Sequence, residues 1–115
     1  MTVSLRGGFE QRQRCLVFNF TGQLDAYSEK QFKTYVEDVL DTNRSSVVLE
    51  LSNIDFIDSS GLGALVQIAK SCNESKRSFL LVGNARVIQT IKLVRLEEFL
   101  HLAPDLNTAL TQLAA

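Results

Sequence analysis

Three short apolar runs, CLVFNF (15–20), VVLEL (47–51) and FLLV (79–82), are each bounded by polar or glycine residues. Runs of this length with such boundaries predict buried strands. A weaker segment, TVSLRGGF (2–9), precedes the first run; with EQRQ (10–13) as a turn it predicts an edge hairpin in which Gly7-Gly8 marks a bulge or bend. Between the runs the apolar period becomes helical. Phe32, Tyr35, Val36, Val39 and Leu40 recur at i, i+3, i+4, i+7 and i+8 behind Ser28-Glu29-Lys30-Gln31, which reads as a capping box. Leu62, Leu65, Val66, Ala69 and Cys72 form a second stripe, ending near Asn73, and Val87, Ile91 and Val94 a third that breaks near Glu97-Glu98. FLHLA (99–103) predicts a short fifth strand, and Pro104-Asp105 opens a last helix with Leu106, Ala109, Leu110 and Leu113 on one face.

The order β-β-α-β-α-β-α-β-α, joined by right-handed crossovers, predicts one α/β domain over residues 1–115. Its sheet is expected to be mixed and mostly parallel, of four or five strands, with four helices packed mainly on one side. The chain's 115 residues suit a single core that buries roughly two thirds of the unfolded surface. With 45% hydrophobic and 22% charged residues and a net charge of -1, disorder and electrostatic binding of nucleic acid are both excluded. Cys15 and Cys72 lie within apolar patterns and read as buried, reduced thiols. Together with the single His101 they are too few to build a metal site, and no cofactor is expected. The N-terminal MTVSLRGGFEQRQR lacks the apolar segment of a signal peptide, and no run approaches the ~18 residues a bilayer requires. These features predict a cytoplasmic protein without membrane contact.

The candidate chemistry sits in IDFIDSSGLGALV (54–66), where a serine pair and two glycines stand between a strand pattern and a helix pattern. The first amides of a helix have no partners within it, and its dipole is positive there. Asp58 or Ser59 as N-cap meets that need, at about 1 kcal/mol relative to alanine. Gly61 and Gly63 each cost a helix roughly 0.8 to 1 kcal/mol. They either permit close packing of this helix or clear the surface around Ser59 and Ser60 for a partner backbone. The dinucleotide fingerprint is incomplete, since Val66 stands where its third glycine belongs, and no phosphate-loop motif is present. A serine hydrolase would need a base beside the nucleophile, yet there is no G-x-S-x-G elbow and His101 is expected on a distant strand. The remaining reading makes a serine hydroxyl the substrate of a kinase, adding about -1.5 to -2 charges beside Asp55 and Asp58.

IDFIDSSGLGALV resembles the hallmark of the anti-sigma factor antagonists, whose domain is called STAS. Thr21-Gly22-Gln23-Leu24-Asp25 resembles the family's T-G-x-L-D signature, and VGNARVIQTIKLVRLEEFLHLAPDLNTAL (82–110) resembles its third helix, short strand and final helix. The resemblance spans essentially the whole chain. It implies a switch protein rather than an enzyme: unphosphorylated, it binds an anti-sigma factor that is also a serine/threonine kinase, and the sigma factor is released. Phosphorylation of Ser59 breaks that complex, and a PP2C-type phosphatase resets it. The resemblance makes Ser60, Asp25 and Asp58 the residues that modulate phosphorylation, and Gly61, Leu62 and Gly63 the partner-binding loop. A monomer or weak dimer is expected. Family members also scaffold stress complexes or regulate transporters, so a nucleotide-sensing or scaffold module with a non-sigma target is the alternative. Lys92 and Arg95 on the third helix are expected to be a solvated face, and His101 a half-buried strand residue.

Overall fold

The computed structural model describes residues 4–114; Thr2 and Val3 of the expected edge segment lie outside the described residues. The described chain runs β1 (Leu5–Arg12), β2 (Cys15–Leu24), α1 (Glu29–Asp41), β3 (Ser46–Ile57), α2 (Ser59–Glu74), β4 (Phe79–Gly83), α3 (Ala85–Leu93), β5 (Leu102–Ala103) and α4 (Leu106–Ala114). The strands lie side by side in chain order in one sheet. β1 and β2 pair antiparallel, and β2 to β5 are parallel, each reached from the last through one helix. A two-residue turn suffices for the antiparallel pair, whereas parallel neighbours require a crossover.

Strand alternation divides the apolar residues between two layers. Leu16, Phe18 and Phe20 of β2, Val47, Leu49 and Leu51 of β3, and Leu81 of β4 face the stripes of α1, α2 and α3. Cys15, Val17, Val48 and Val82 point the other way, where Ala109 and Leu110 of α4 cover them. Three helices on one face and one on the other is the predicted arrangement. Phe20 anchors the larger layer: its ring meets Phe32 edge-on at 4.8 Å and stacks with Phe18 at 6.4 Å. Such pairs add about 0.5 to 1.5 kcal/mol beyond the area they bury.

The departures from expectation have local causes. The hairpin turn is Gln13-Arg14, with Gln13 at a φ of 57°, so β1 continues through the residues expected to turn. Its register with β2 is unbroken from Leu5 to Arg12, and Gly7-Gly8 makes no bulge there. Gly7 is needed instead because a β-carbon at that site would run into the Asn19 carbonyl. On α2, Ile68 is buried and Val66 half-buried, which moves the inner stripe from its expected line. α3 stops at Leu93, leaving Val94 in a turn and exposed, and both Lys92 and Arg95 are also exposed. The fifth strand shrinks to Leu102–Ala103, because residues 97–101 turn. There Leu100 N–H donates to the Leu96 carbonyl, and His101 is exposed at a φ of 51°.

Both thiols are free and buried. Burial pushes Cys72 up to about 11, an effect that the positive charge of Arg77 only partly offsets, and burial raises Cys15 as well. The thiolate is the reactive form, so the raised values keep both sulfurs protonated and unreactive at neutral pH. In an Ellman titration at pH 8, the native protein should show fewer than about 0.1 reactive thiols within minutes and both after unfolding in urea. Rapid native labelling of either would contradict the packing.

Candidate functional site

β3 does not stop where its run of valines and leucines ends. It continues through Ser52-Asn53-Ile54-Asp55-Phe56-Ile57 and pairs with β2 along the way, from Asn53 beside Thr21 to Ile57 beside Leu24. The pairing slips between Asn19 and Thr21 and again between Gly22 and Gln23, so β3 carries extra residues at both places. These bulges explain why the buried side chains fall at Leu51, Ile54 and Ile57, every third residue instead of every second. They also turn Asp55 and Phe56 outward together.

At the end of β3 the Asp58 N–H donates to the Leu24 carbonyl at 3.3 Å, tying the start of α2 to the end of β2. Asp58 is the N-cap: its Oδ1 accepts from the Gly61 amide at 3.0 Å. Its Oδ2 accepts from the Ala26 amide at 3.2 Å. One carboxylate thus joins the loop after β2 to the first turn of α2.

The loop after β2 is built differently from the expected capping box. Ser28 is fully buried and its side chain does not cap α1. Its hydroxyl donates to the Gln23 carbonyl at 2.8 Å and accepts from the Asp25 amide at 3.1 Å. Asp25 takes over the turn, its Oδ1 accepting from the Tyr27 and Ser28 amides at 3.0 and 3.1 Å. The expected capping box is therefore not formed: Ser28 holds the N-cap position without a side-chain cap bond, and Asp25 organises the turn before α1 by accepting from amides two and three residues on. The two sequence signatures, 21–25 and 54–66, meet at this seam.

Ser59 is the first residue of α2 and is exposed, whereas Ser60 is half-buried. Neither hydroxyl makes a hydrogen bond among the described residues. Among the described residues no basic side chain is hydrogen-bonded to either, and the Asp58 carboxylate is engaged by amides. The two glycines have different reasons to be there. A β-carbon on buried Gly61 would overlap the Leu24 carbonyl and lie 2.9 Å from Leu24 Cγ, so close packing requires it. A β-carbon on exposed Gly63 would meet nothing within 4 Å. Leu62 is buried with the core, so of Gly61, Leu62 and Gly63 only Gly63 lies on the surface.

Sequence reasoning missed two aromatic neighbours of this seam and a pair of side chains behind it. Tyr27 is 88% exposed and Phe56 47% exposed. No periodicity marks them, because both sit where bulge or loop geometry overrides the period. Asn84 and Arg86 reach from the start of α3 to carbonyls of β3. Asn84 before an apolar helical stripe signals an N-cap, but its second set of bonds has no sequence signal. Among the described residues, no group of three or more His, Cys, Asp or Glu side chains is placed to hold a metal ion, and no helix is long and apolar enough to cross a membrane.

A family model described as the STAS domain matches residues 9–109. The anti-sigma-B factor antagonist of Staphylococcus aureus (strain NCTC 8325 / PS 47) is 22% identical over 81 residues, 70% of this chain and 75% of that protein. An anti-sigma factor antagonist from Mycobacterium paratuberculosis superposes with a TM-score of 0.90 at 22% identity, covering 97% of this chain and 96% of the other. The Bacillus cell fate determinant SpoIIAA, in its phosphorylated form, superposes with a TM-score of 0.70 at 15% identity over 93% and 98% of the two chains. At these identities the superpositions speak for the fold, and the family match, which takes in both seam signatures, speaks for descent: the chain belongs to the STAS domain family.

Proposed function

We propose that this protein is a phosphorylation-controlled antagonist of an anti-sigma factor. In its unphosphorylated form it docks on an anti-sigma factor that is a serine/threonine kinase, and the sigma factor is set free. That kinase phosphorylates Ser59 and the complex parts; a PP2C-type phosphatase restores the hydroxyl. On this reading the protein is a substrate and not an enzyme, and it acts in the cytoplasm. The observation that carries the proposal is the Ser59 hydroxyl itself: exposed, unbonded and on the first residue of α2, directly after an Asp58 whose two oxygens are already committed. The relatives named as anti-sigma factor antagonists support the same reading.

Magnitudes decide what a phosphate on Ser59 disturbs. In water two unit charges 4 Å apart repel by about 1 kcal/mol, and the helix N-terminus returns roughly 0.3 to 1 kcal/mol to a nearby anion. Within the isolated domain these nearly cancel, so the fold tolerates the modification. In a docked interface the effective dielectric falls toward about 20 and the same repulsion rises to about 4 kcal/mol, with Asp55 and Asp58 close in the chain. Docking fails while folding survives. The nucleotide-sensing alternative has less support, because the Gly61 amide that an anion would use is held by Asp58.

Incubation with Mg-ATP and a soluble extract of the source cells, followed by mass spectrometry of the tryptic fragment 45–70, should find phosphate on Ser59, lost in Ser59→Ala and kept in Ser60→Ala. No phosphate on Ser59 from an extract with demonstrated kinase activity of this class would refute the proposal. With the purified kinase, Ser59→Asp should weaken binding about 100-fold or more, the counterpart of roughly 3 kcal/mol, and leave the melting temperature within a few degrees of wild type. The glycines should separate in the same assays. Gly63→Ala should raise stability by up to about 1 kcal/mol and yet weaken kinase binding, whereas Gly61→Ala should cost about 1 to 3 kcal/mol of stability by overpacking against Leu24. Denaturant melts with titration of each variant would show whether the exposed glycine is kept for the partner.

A further inference from the structure

β4 stops pairing with β3 at Leu51 beside Gly83, yet β3 continues six residues to Ile57. Along that extension one edge is paired with β2, and among the described residues no strand pairs with the opposite edge. Carbonyls on a bare edge need other partners, and here side chains from the start of α3 provide them. Asn84 Nδ2 donates to the Ser52 carbonyl at 3.0 Å and to the Ile54 carbonyl at 2.8 Å. Arg86 Nη1 donates to the Asp55 carbonyl at 2.9 Å. The other end of the Asn84 amide, Oδ1, accepts from the Val87 amide at 2.9 Å and caps α3. This network also fixes the amide's orientation, since the reverse placement would set its oxygen against two carbonyl oxygens.

Two of the held carbonyls, those of Ser52 and Asp55, belong to the stretches where β3 slips against β2. A bulge loosens the ladder at the point where it redirects the chain. The clamp gives these carbonyls partners on the edge away from β2, a few residues before Ser59. We infer that Asn84, assisted by Arg86, is a positioning residue that holds the bulged end of β3 and thereby fixes how Ser59 is presented to its kinase. Its functional meaning rests on Ser59 as the acceptor; the clamp itself is a property of the free protein and is testable without any partner.

Asn84→Asp separates the two duties. Aspartate caps a helix as well as asparagine does but has no N–H to donate, and it sets a carboxylate oxygen against the Ser52 and Ile54 carbonyls. Hydrogen–deuterium exchange on the full chain should show the β2-paired amides of 52–58 exchanging at least tenfold faster in Asn84→Asp. Amides of α3 and of the β2–β3 ladder before Leu51 should be unchanged. The initial rate of Ser59 phosphorylation by Mg-ATP and extract should fall several-fold at a temperature well below melting. If Asn84→Asp matches wild type over 52–58, Asn84 is only the cap of α3 and the inference is overturned. Arg86→Ala provides a second variant with an exposed side chain, should the first fail to fold. Exchange over 55–58 should then quicken about threefold, and no change there would equally overturn the clamp. If the extract phosphorylates even the wild type elsewhere than at Ser59, the acceptor assignment falls, while the exchange result still decides whether the clamp exists.

Discussion

The carboxylate of Asp58 is the hinge of this structure, one oxygen on the Gly61 amide and the other on the Ala26 amide. A carboxylate accepting from backbone amides is among the stronger hydrogen-bonding arrangements in proteins. Here it does two things that no single neutral side chain would do as well. It satisfies a first-turn amide of α2, and it pins the loop after β2 against that turn. Ser59, the next residue, begins the helix and is exposed. Asp25 and Ser28 complete the loop from the other side, each bonding short-range partners, while Asp58 ties the two loops through its carboxylate and its own amide.

The rim behind this hinge is irregular by construction. A regular β3 would alternate its side chains and send either Ile54 or Ile57 to solvent. Two slips against β2 bring Leu51, Ile54 and Ile57 all inward and leave Asp55 and Phe56 outside as a pair. Here β4 has already ended, so carbonyls on the outer edge lack strand partners, and the side chains at the start of α3 meet them. The surface around Ser59 is thus shaped by sheet register as much as by the residues that form it.

Much of this was legible in the sequence. The three core runs, the helix stripes and the order of elements follow from period alone, and the family signatures at 21–25 and 54–66 marked the place where the seam forms. What period could not show was the extension of β3, since the apolar residues of LSNIDFI fall at 51, 54, 56 and 57 and keep no strand alternation. Ser28 departs from its pattern for a related reason: a serine three residues before a glutamine has the form of a cap, but the buried hydroxyl donates to the Gln23 carbonyl. Asn84 showed half of its role, the cap, because capping is local in sequence. The other half joins residues about thirty positions apart and exists only in the folded chain.

The contrast between Gly61 and Gly63 bears on what the seam is for. Gly61 lies in the first turn of α2 and Gly63 opens the second, and each lowers helix stability relative to alanine. Packing against Leu24 accounts fully for the first. For the second the fold offers no return: its side-chain position is open to solvent, and alanine there would strengthen the helix at no steric cost. Under the proposed function, a partner backbone seated there would account for a residue that weakens its own domain without relieving any internal contact. One helical turn separates Gly63 from Ser59, so the flattened surface and the free hydroxyl lie on the same side of α2. A partner seated on Gly63 would have the Ser59 hydroxyl in its contact zone, which is the geometry a switch by added charge requires.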